Sequence, residues 1–250
     1  LLLNLLGYER ACRIADTLSL MGGAEGFDYL AEILKFDLKL NNPERLPKTG
    51  AAVVVANHPT GLADGVAVWE ALRRYRKDVV IFANADALRI TPGFQDILIP
   101  VEWVMDKRSP AKTRETLKRA GEAFAAGKCV VIFPSGKLAK MVNRKLTEHD
   151  WHATAISLAR KKKAPVLPLH INSRNSRLYY TFSTLNSELR DITLFHELLN
   201  KTKSRFEMNF GPLIAHERLI GDASDLTEYM RQYVSYGLKD DPNLEFPFDI

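Results

Sequence analysis

The stretch Ala51-Ala52-Val53-Val54-Val55-Ala56, continuing into Asn57-His58-Pro59-Thr60-Gly61-Leu62-Ala63-Asp64-Gly65, decides how this chain reads. Six small or β-branched residues without a charge predict a strand buried on both faces. Pro59 biases His58 toward extended backbone, so the histidine should leave the strand without entering a helix. Gly61 and Gly65 then allow a tight loop that can turn Asp64 back toward the ring. A histidine at the end of a buried strand, with a carboxylate six positions later, is arranged like a base and its orienter. The carboxylate holds one ring nitrogen as a donor and leaves the other free to accept a proton. A plainer reading stands beside it: Asp64 caps the following helix and His58 bonds locally.

Outward from this stretch the chain alternates. A helix is predicted near 65–75, with Val68, Trp69 and Leu72 on one side, then strands at 79–82 and 97–101. Ser109 and Pro110 open a helix whose buried stripe should hold Leu117, Ala120 and Phe124, and Gly127 stops it. Strands follow at 129–133 and 165–171, separated by a helix near 151–162. After Leu178-Tyr179-Tyr180 come a strand at 205–210 and a last helix, for which Asp225 and Glu228 resemble a capping pair. Toward the amino terminus, residues 8–21 and the stripe Phe27, Leu30, Ile33, Leu34 predict a helical pair, and 41–50 a loop. The expected fold is α/β: a mixed, mostly parallel sheet with helices on both faces, plus the N-terminal helical pair. Two units are expected, a helical membrane-associating element over 1–40 and the main domain over 41–250.

With 35 basic and 30 acidic residues the net charge is +5, and the cations are bunched. Arg73-Arg74-Tyr75-Arg76-Lys77, Lys107-Arg108, Lys137 to Lys145 and Arg160-Lys161-Lys162-Lys163 form the main groups. Bunched charge suits an anionic partner, with solvated helix ends as the plainer reading. Nucleic acid is disfavoured because no aromatic residues interleave with the cations as stacking platforms. Cys12 and Cys129 lie far apart and read as reduced core residues. The opening Leu1-Leu2-Leu3-Asn4-Leu5-Leu6 reads as the start of a trimmed fragment. It falls short of the roughly 20 apolar residues a spanning helix needs.

Two further blocks belong with His58. Phe133-Pro134-Ser135-Gly136-Lys137, at the carboxyl end of a strand, combines a hydroxyl, glycine amides and a cation in a turn fit to cradle a phosphate or carboxylate. Val101 to Arg108 ends a strand in two cations, of which Arg108 offers a fork matched to phosphate oxygens and Lys107 a supporting charge. Both also fit a solvated loop. Pro165 and Pro168 bracket a strand that would wall the site, or mark an edge or bend.

In order, Asn57-His58-Pro59 with Asp64, Lys107-Arg108, Phe133-Pro134-Ser135-Gly136 and Ala164-Pro165-Val166-Leu167-Pro168 resemble the glycerolipid acyltransferase superfamily, which includes the lysophosphatidic acid acyltransferases. The wording is similar to a bacterial branch labelled hemolysin and related to ornithine-lipid acyltransferases. Asn172 to Tyr180, Glu197 to Lys201 and Phe210-Gly211-Pro212-Leu213-Ile214 fit that branch. Five residues separate histidine and aspartate here, against the superfamily's usual four, and the branch shares the longer spacing. Many relatives carry glutamate where Ser135 stands, so Ser135 and Lys137 bear on the acceptor headgroup more than on the reaction.

The resemblance implies that His58 is a general base and Asp64 its orienter. Lys107, Arg108, Ser135, Gly136 and Lys137 would hold the acceptor headgroup, with Ser135-Gly136 amides as oxyanion donors. Asn57, Gly61, Gly65, Phe133, Pro134 and Pro168 would support them. It implies an acyl-carrier-protein or coenzyme A thioester as co-substrate, with no bound cofactor or metal, and a lysolipid acceptor: a lyso-amino-lipid or lysophosphatidic acid. It further implies peripheral attachment to an anionic membrane, at the cytoplasmic face of the inner membrane. The rivals are weaker. A serine hydrolase on Ser135 lacks Gly-x-Ser-x-Gly. A zinc site on His58, His149 and His152 lacks a His-Glu-x-x-His spacing, and neither a Walker loop nor Gly-x-Gly-x-x-Gly follows a strand. A non-catalytic lipid-binding protein of the same fold is the alternative from another class. His170, His196 and His216 read as structural.

Overall fold

A computed structural model of the chain describes residues 6–102 and 109–247, the side chains at 89, 90, 187 and 189 excepted. Lys107 and Arg108 therefore lie outside the described residues. The strands are β1 (Asp37–Asn41), β2 (Ala52–Ala56), β3 (Val79–Asn84), β4 (Leu98–Val101), β5 (Cys129–Ile132), β6 (Lys140–Val142), β7 (Lys145–Thr147), β8 (Val166–Asn172) and β9 (Arg205–Phe210). Seven of them form one sheet in the order β1-β9-β8-β2-β5-β3-β4, while β6 and β7 pair as a separate antiparallel ribbon. From β8 to β4 the neighbours run parallel. β9 runs antiparallel to β8, and β1 lies parallel to β9 at the edge.

β2 is buried at every position, and alternation sends its residues into two cores. Val54 and Ala56 join the core covered by α1 (Tyr8–Ser19), α2 (Gly23–Leu34) and α3 (Leu62–Arg73). Val53 and Val55 join the one covered by α4 (Pro110–Ala125) and α5 (Thr154–Lys162). Between β8 and β9 run α6 (Arg177–Leu185), α7 (Ser187–Ile192) and α8 (Leu194–Asn200). The last, through Leu198 and Leu199, packs into the first core. α9 (Ala223–Gln232) closes the second through Leu226 and Met230. Helices on both faces of a mostly parallel sheet are what the uncharged strands predict.

Several details differ from the sequence reading. β1 is an added strand whose Leu38 and Leu40 alternate with polar residues, a pattern too weak to separate from loop. The boundary drawn at residue 40 falls inside β1. The helical pair shares the sheet's core through Ile14, Leu18, Phe27 and Leu30. In α4 Ala120 and Phe124 are buried as expected, but Leu117 is 53% exposed and Ala123 is buried in its place. α9 is capped by Asp222, which accepts from the amides of Ser224 and Asp225, not by Asp225 with Glu228. Pro168 sits inside the sheet, paired with Val55 of β2, not at an edge. Val53 N donates to Pro165 O toward β2, whereas Gly211 N donates to Pro168 O on the opposite side, where β9 has ended. No ladder donor is lost there.

Part of the basic charge is structural. Arg76 is buried and donates to Asp78 and to the carbonyls of Pro47, Gly50 and Gly127. Arg73 pairs with Asp28 and Arg74 with Glu70, so this cluster is largely neutralised.

Candidate active site

In open α/β sheets, ligands bind outside the carboxyl ends of strands where neighbouring connections leave to opposite faces. Here that place lies between β2 and β5. The chain leaves β2 for α3 on one face and leaves β5 for α5 on the other. His58 follows β2 and Phe133 follows β5, and their rings stack at 4.3 Å between centroids.

His58 Nδ1 lies 3.0 Å from Asp64 Oδ2, with the His58 side chain 17% exposed and Asp64 fully buried. The contact is within hydrogen-bond distance but off the line of a well-aligned N–H···O bond, and Nδ1 has no other partner. A small rotation of the imidazole would align the pair. Asp64 is held firmly. Its Oδ2 accepts from the amides of Thr60, at 2.7 Å, and Gly61, at 2.9 Å, and its Oδ1 accepts from the Thr60 hydroxyl. Asp64 is the third residue of α3 and Gly61 its N-cap, so the aspartate caps the helix and faces the histidine at once. One side chain thus serves as the cap that the plainer reading expected and lies beside the ring.

The backbone of the loop is equally constrained. Gly61 has φ +82°, and a Cβ there would come within 2.7 Å of Leu138 Cδ2, so this position needs glycine on two counts. Gly65 is different: it lies within α3, and a Cβ would meet nothing within 4 Å. Loop tightness therefore rests on Gly61. Asn57 is a pin between strands, accepting from Ile171 N at 2.7 Å and donating to Ile171 O at 3.0 Å.

Glu148 is the residue that sequence reasoning missed. It is 6% exposed and accepts from His58 N at 3.0 Å and from Trp151 Nε1 at 3.3 Å. Burial pushes its carboxyl above the ordinary carboxylate range. The His58 carbonyl in turn accepts from Ala139 N at 2.9 Å, so both backbone groups of the histidine are fixed from the segment after β5. The one sequence signal was an acidic residue three before a tryptophan. Nothing in that spacing tells buried from exposed.

The turn after β5 departs from expectation. Ser135 is buried, and its hydroxyl donates to Lys137 O at 2.7 Å, so it is not an exposed hydroxyl. Gly136, at φ +57°, already donates its amide to Phe133 O at 3.0 Å, which removes it as an oxyanion donor. The Ser135 amide makes no such bond among the described residues. Pro134 O accepts from His152 N, and Lys137 is exposed at the rim. His149, His152 and His58 do not converge into a metal-ligating group among the described residues. His170 is buried in β8 with Nδ1 donating to Val234 O, and burial holds it down to about pH 4 for half-protonation.

A cavity of about 70 Å³ behind the loop is lined by Asn57, Glu148, His170, Ser235 and Lys239, without His58. A larger space of about 440 Å³ lies at the opposite end of the strands, against Leu98, Arg119 and Lys128.

The profile of the family described as Acyltransferase matches residues 37–172. A lyso-glycine lipid O-acyltransferase of Phocaeicola vulgatus is 24% identical over 195 residues, covering 74% of this chain and 68% of the relative. The protein of that name from Bacteroides thetaiotaomicron is also 24% identical, covering 74% and 70%. The solved structure of the 1-acyl-sn-glycerophosphate acyltransferase PlsC from Thermotoga maritima superposes with a TM-score of 0.57 at 18% identity. That match covers 96% of this chain and 94% of PlsC, a likeness of fold.

Proposed function

The chain belongs to the acyltransferase family, and on that premise we propose that it moves a fatty acyl chain from a thioester to the hydroxyl of a lysolipid. The observation that carries the reading is the His58–Asp64 pair, 3.0 Å apart at the switch point between β2 and β5. With Nδ1 facing Asp64, Nε2 is the nitrogen left for substrate. It takes the proton as the acceptor oxygen attacks the thioester carbonyl. Asp64 stabilises the imidazolium that develops, and the Ser135 amide supports the oxyanion. When the C–S bond breaks, the leaving thiolate takes the proton from the imidazolium. Glu148 holds the His58 backbone in place. Neither a metal nor a covalent enzyme intermediate is required.

The donor is an acyl-carrier-protein or coenzyme A thioester. The acceptor is a lysolipid with an anionic headgroup, a lyso-amino-lipid before lysophosphatidic acid. The name shared by the two curated relatives supports that order, as does serine in place of the glutamate common in the third block. Lys137, with Lys107 and Arg108, would hold the headgroup. No helix among the described residues is long and apolar enough to cross a membrane, and the work would be done peripherally at the cytoplasmic face of the inner membrane. The test offers a panel of lyso-amino-lipids and lysophosphatidic acid with each donor and resolves products by mass spectrometry. Ester formation on a lyso-amino-lipid is the expected result. Absence of any thioester consumption across the panel would leave only lipid binding.

A further inference from the structure

The ribbon of β6 and β7 belongs to neither core. Its two-residue turn, Asn143 at φ +48° and Arg144 at φ +63°, is the left-handed kind that closes a tight hairpin. Everything from Met141 to Lys145 is exposed, and Met141 and Val142 are each 40% accessible. Between Pro134 and Thr147 stand Lys137, Lys140, Arg144 and Lys145 and no acidic residue. Among the described residues none of these four has a carboxylate within ion-pair distance. The ribbon also springs directly from the site: Ala139 N donates to His58 O, and Leu138 packs beside Gly61. Leu62, which follows Gly61, is exposed in the first turn of α3. The field is felt behind the ribbon, where burial and then Lys140 and Lys137 hold His149 below the ordinary imidazole range, against Asp150.

We propose that this ribbon seats the protein on an anionic lipid bilayer, Met141 and Val142 entering the interface while Lys140, Arg144 and Lys145 meet lipid phosphates. An acidic protein would be drawn to the cations alone. A hairpin with Met141 on one face, Val142 on the other and cations about its tip fits the boundary between headgroups and acyl chains when it enters tip first. Seated this way, the carboxyl ends of β2 and β5, where His58 and Phe133 stand, would lie near the bilayer surface from which a lysolipid would enter. The proposal rests on the acyl-transfer reading for its purpose but is measured without turnover.

The experiment is co-sedimentation of the full chain with vesicles of phosphatidylcholine containing about one third phosphatidylglycerol. Each cation near such a surface contributes roughly fivefold, so Lys140→Ser, Arg144→Ser and Lys145→Ser together should lower partitioning about a hundredfold. Met141→Ser with Val142→Ser should lower it about tenfold. His58→Ala should sediment like wild type, which separates this proposal from the catalytic one. Thermal unfolding of the ribbon variants, and turnover of a short-chain acceptor below its micelle threshold, should not change. Wild-type partitioning by both ribbon variants overturns the proposal. So does a charge variant that keeps its partitioning but shows a raised KM for acyl-carrier protein without vesicles, because the ribbon would then dock an acidic protein.

Discussion

Replacing Asp64 with asparagine separates its two roles. Oδ2 faces two backbone amides, from Thr60 and Gly61, as well as His58 Nδ1. An asparagine that put its NH2 there would set donor against donor at both amides, so its oxygen must take that place. Nδ1 therefore keeps an acceptor and the imidazole keeps its tautomer. What is lost is the charge. With charge centres about 4 Å apart and an effective dielectric constant near 20, the lost stabilisation of the imidazolium is about 4 kcal/mol, roughly a thousandfold in kcat. The fold should lose far less, about 1–2 kcal/mol, because the cap survives with a neutral acceptor. The assay follows thiol release at saturating donor and acceptor, alongside urea unfolding by circular dichroism. A folded Asp64→Asn enzyme within tenfold of wild-type kcat would refute the reasoning and reduce Asp64 to a helix cap.

Other consequences are expected. Gly61→Ala should cost about 2–4 kcal/mol of stability, from left-handed backbone and the close approach of Leu138. Gly65→Ala, helical and facing open space, should instead raise stability by about 0.5–1 kcal/mol in the same urea titration. Arg76→Lys keeps a charge but not the fork that reaches Asp78 and three carbonyls, and should cost about 3 kcal/mol. His170 is depressed from 6.5 to about 4 in the fold. Its contribution to stability is thus complete above pH 6.5 and is lost as pH falls through about 4, up to about 3 kcal/mol in all. A His170→Gln variant should show a flatter stability profile across that window, and an unchanged slope would contradict the assignment.

The parallel core was legible because buried strands flanked by helices on both faces must be uncharged, and β2, β5 and β8 are so apart from His170 near one end. β1 escaped because an edge strand needs only alternate apolar residues, and Asp37–Asn41 carries two. The ribbon escaped because its exposed side chains leave no burial pattern, so its lysines registered only as charge. Within the site, His58 and Asp64 were legible because they lie on one loop. Glu148 was not, since its hydrogen bond to His58 N joins residues 90 apart in sequence. Ser135 could be placed in the turn, but not the direction of its hydroxyl, which folds back on Lys137 O. Lys107 and Arg108 lie outside the described residues, and their headgroup role remains a proposal.

The most direct measurement compares ester formation by wild type and by His58→Ala with an acyl thioester and a lyso-amino-lipid, product being quantified by mass spectrometry. A general base at His58 predicts a folded variant with product formation at least about a hundredfold slower. Product formed by His58→Ala at the wild-type rate would contradict the account at its centre.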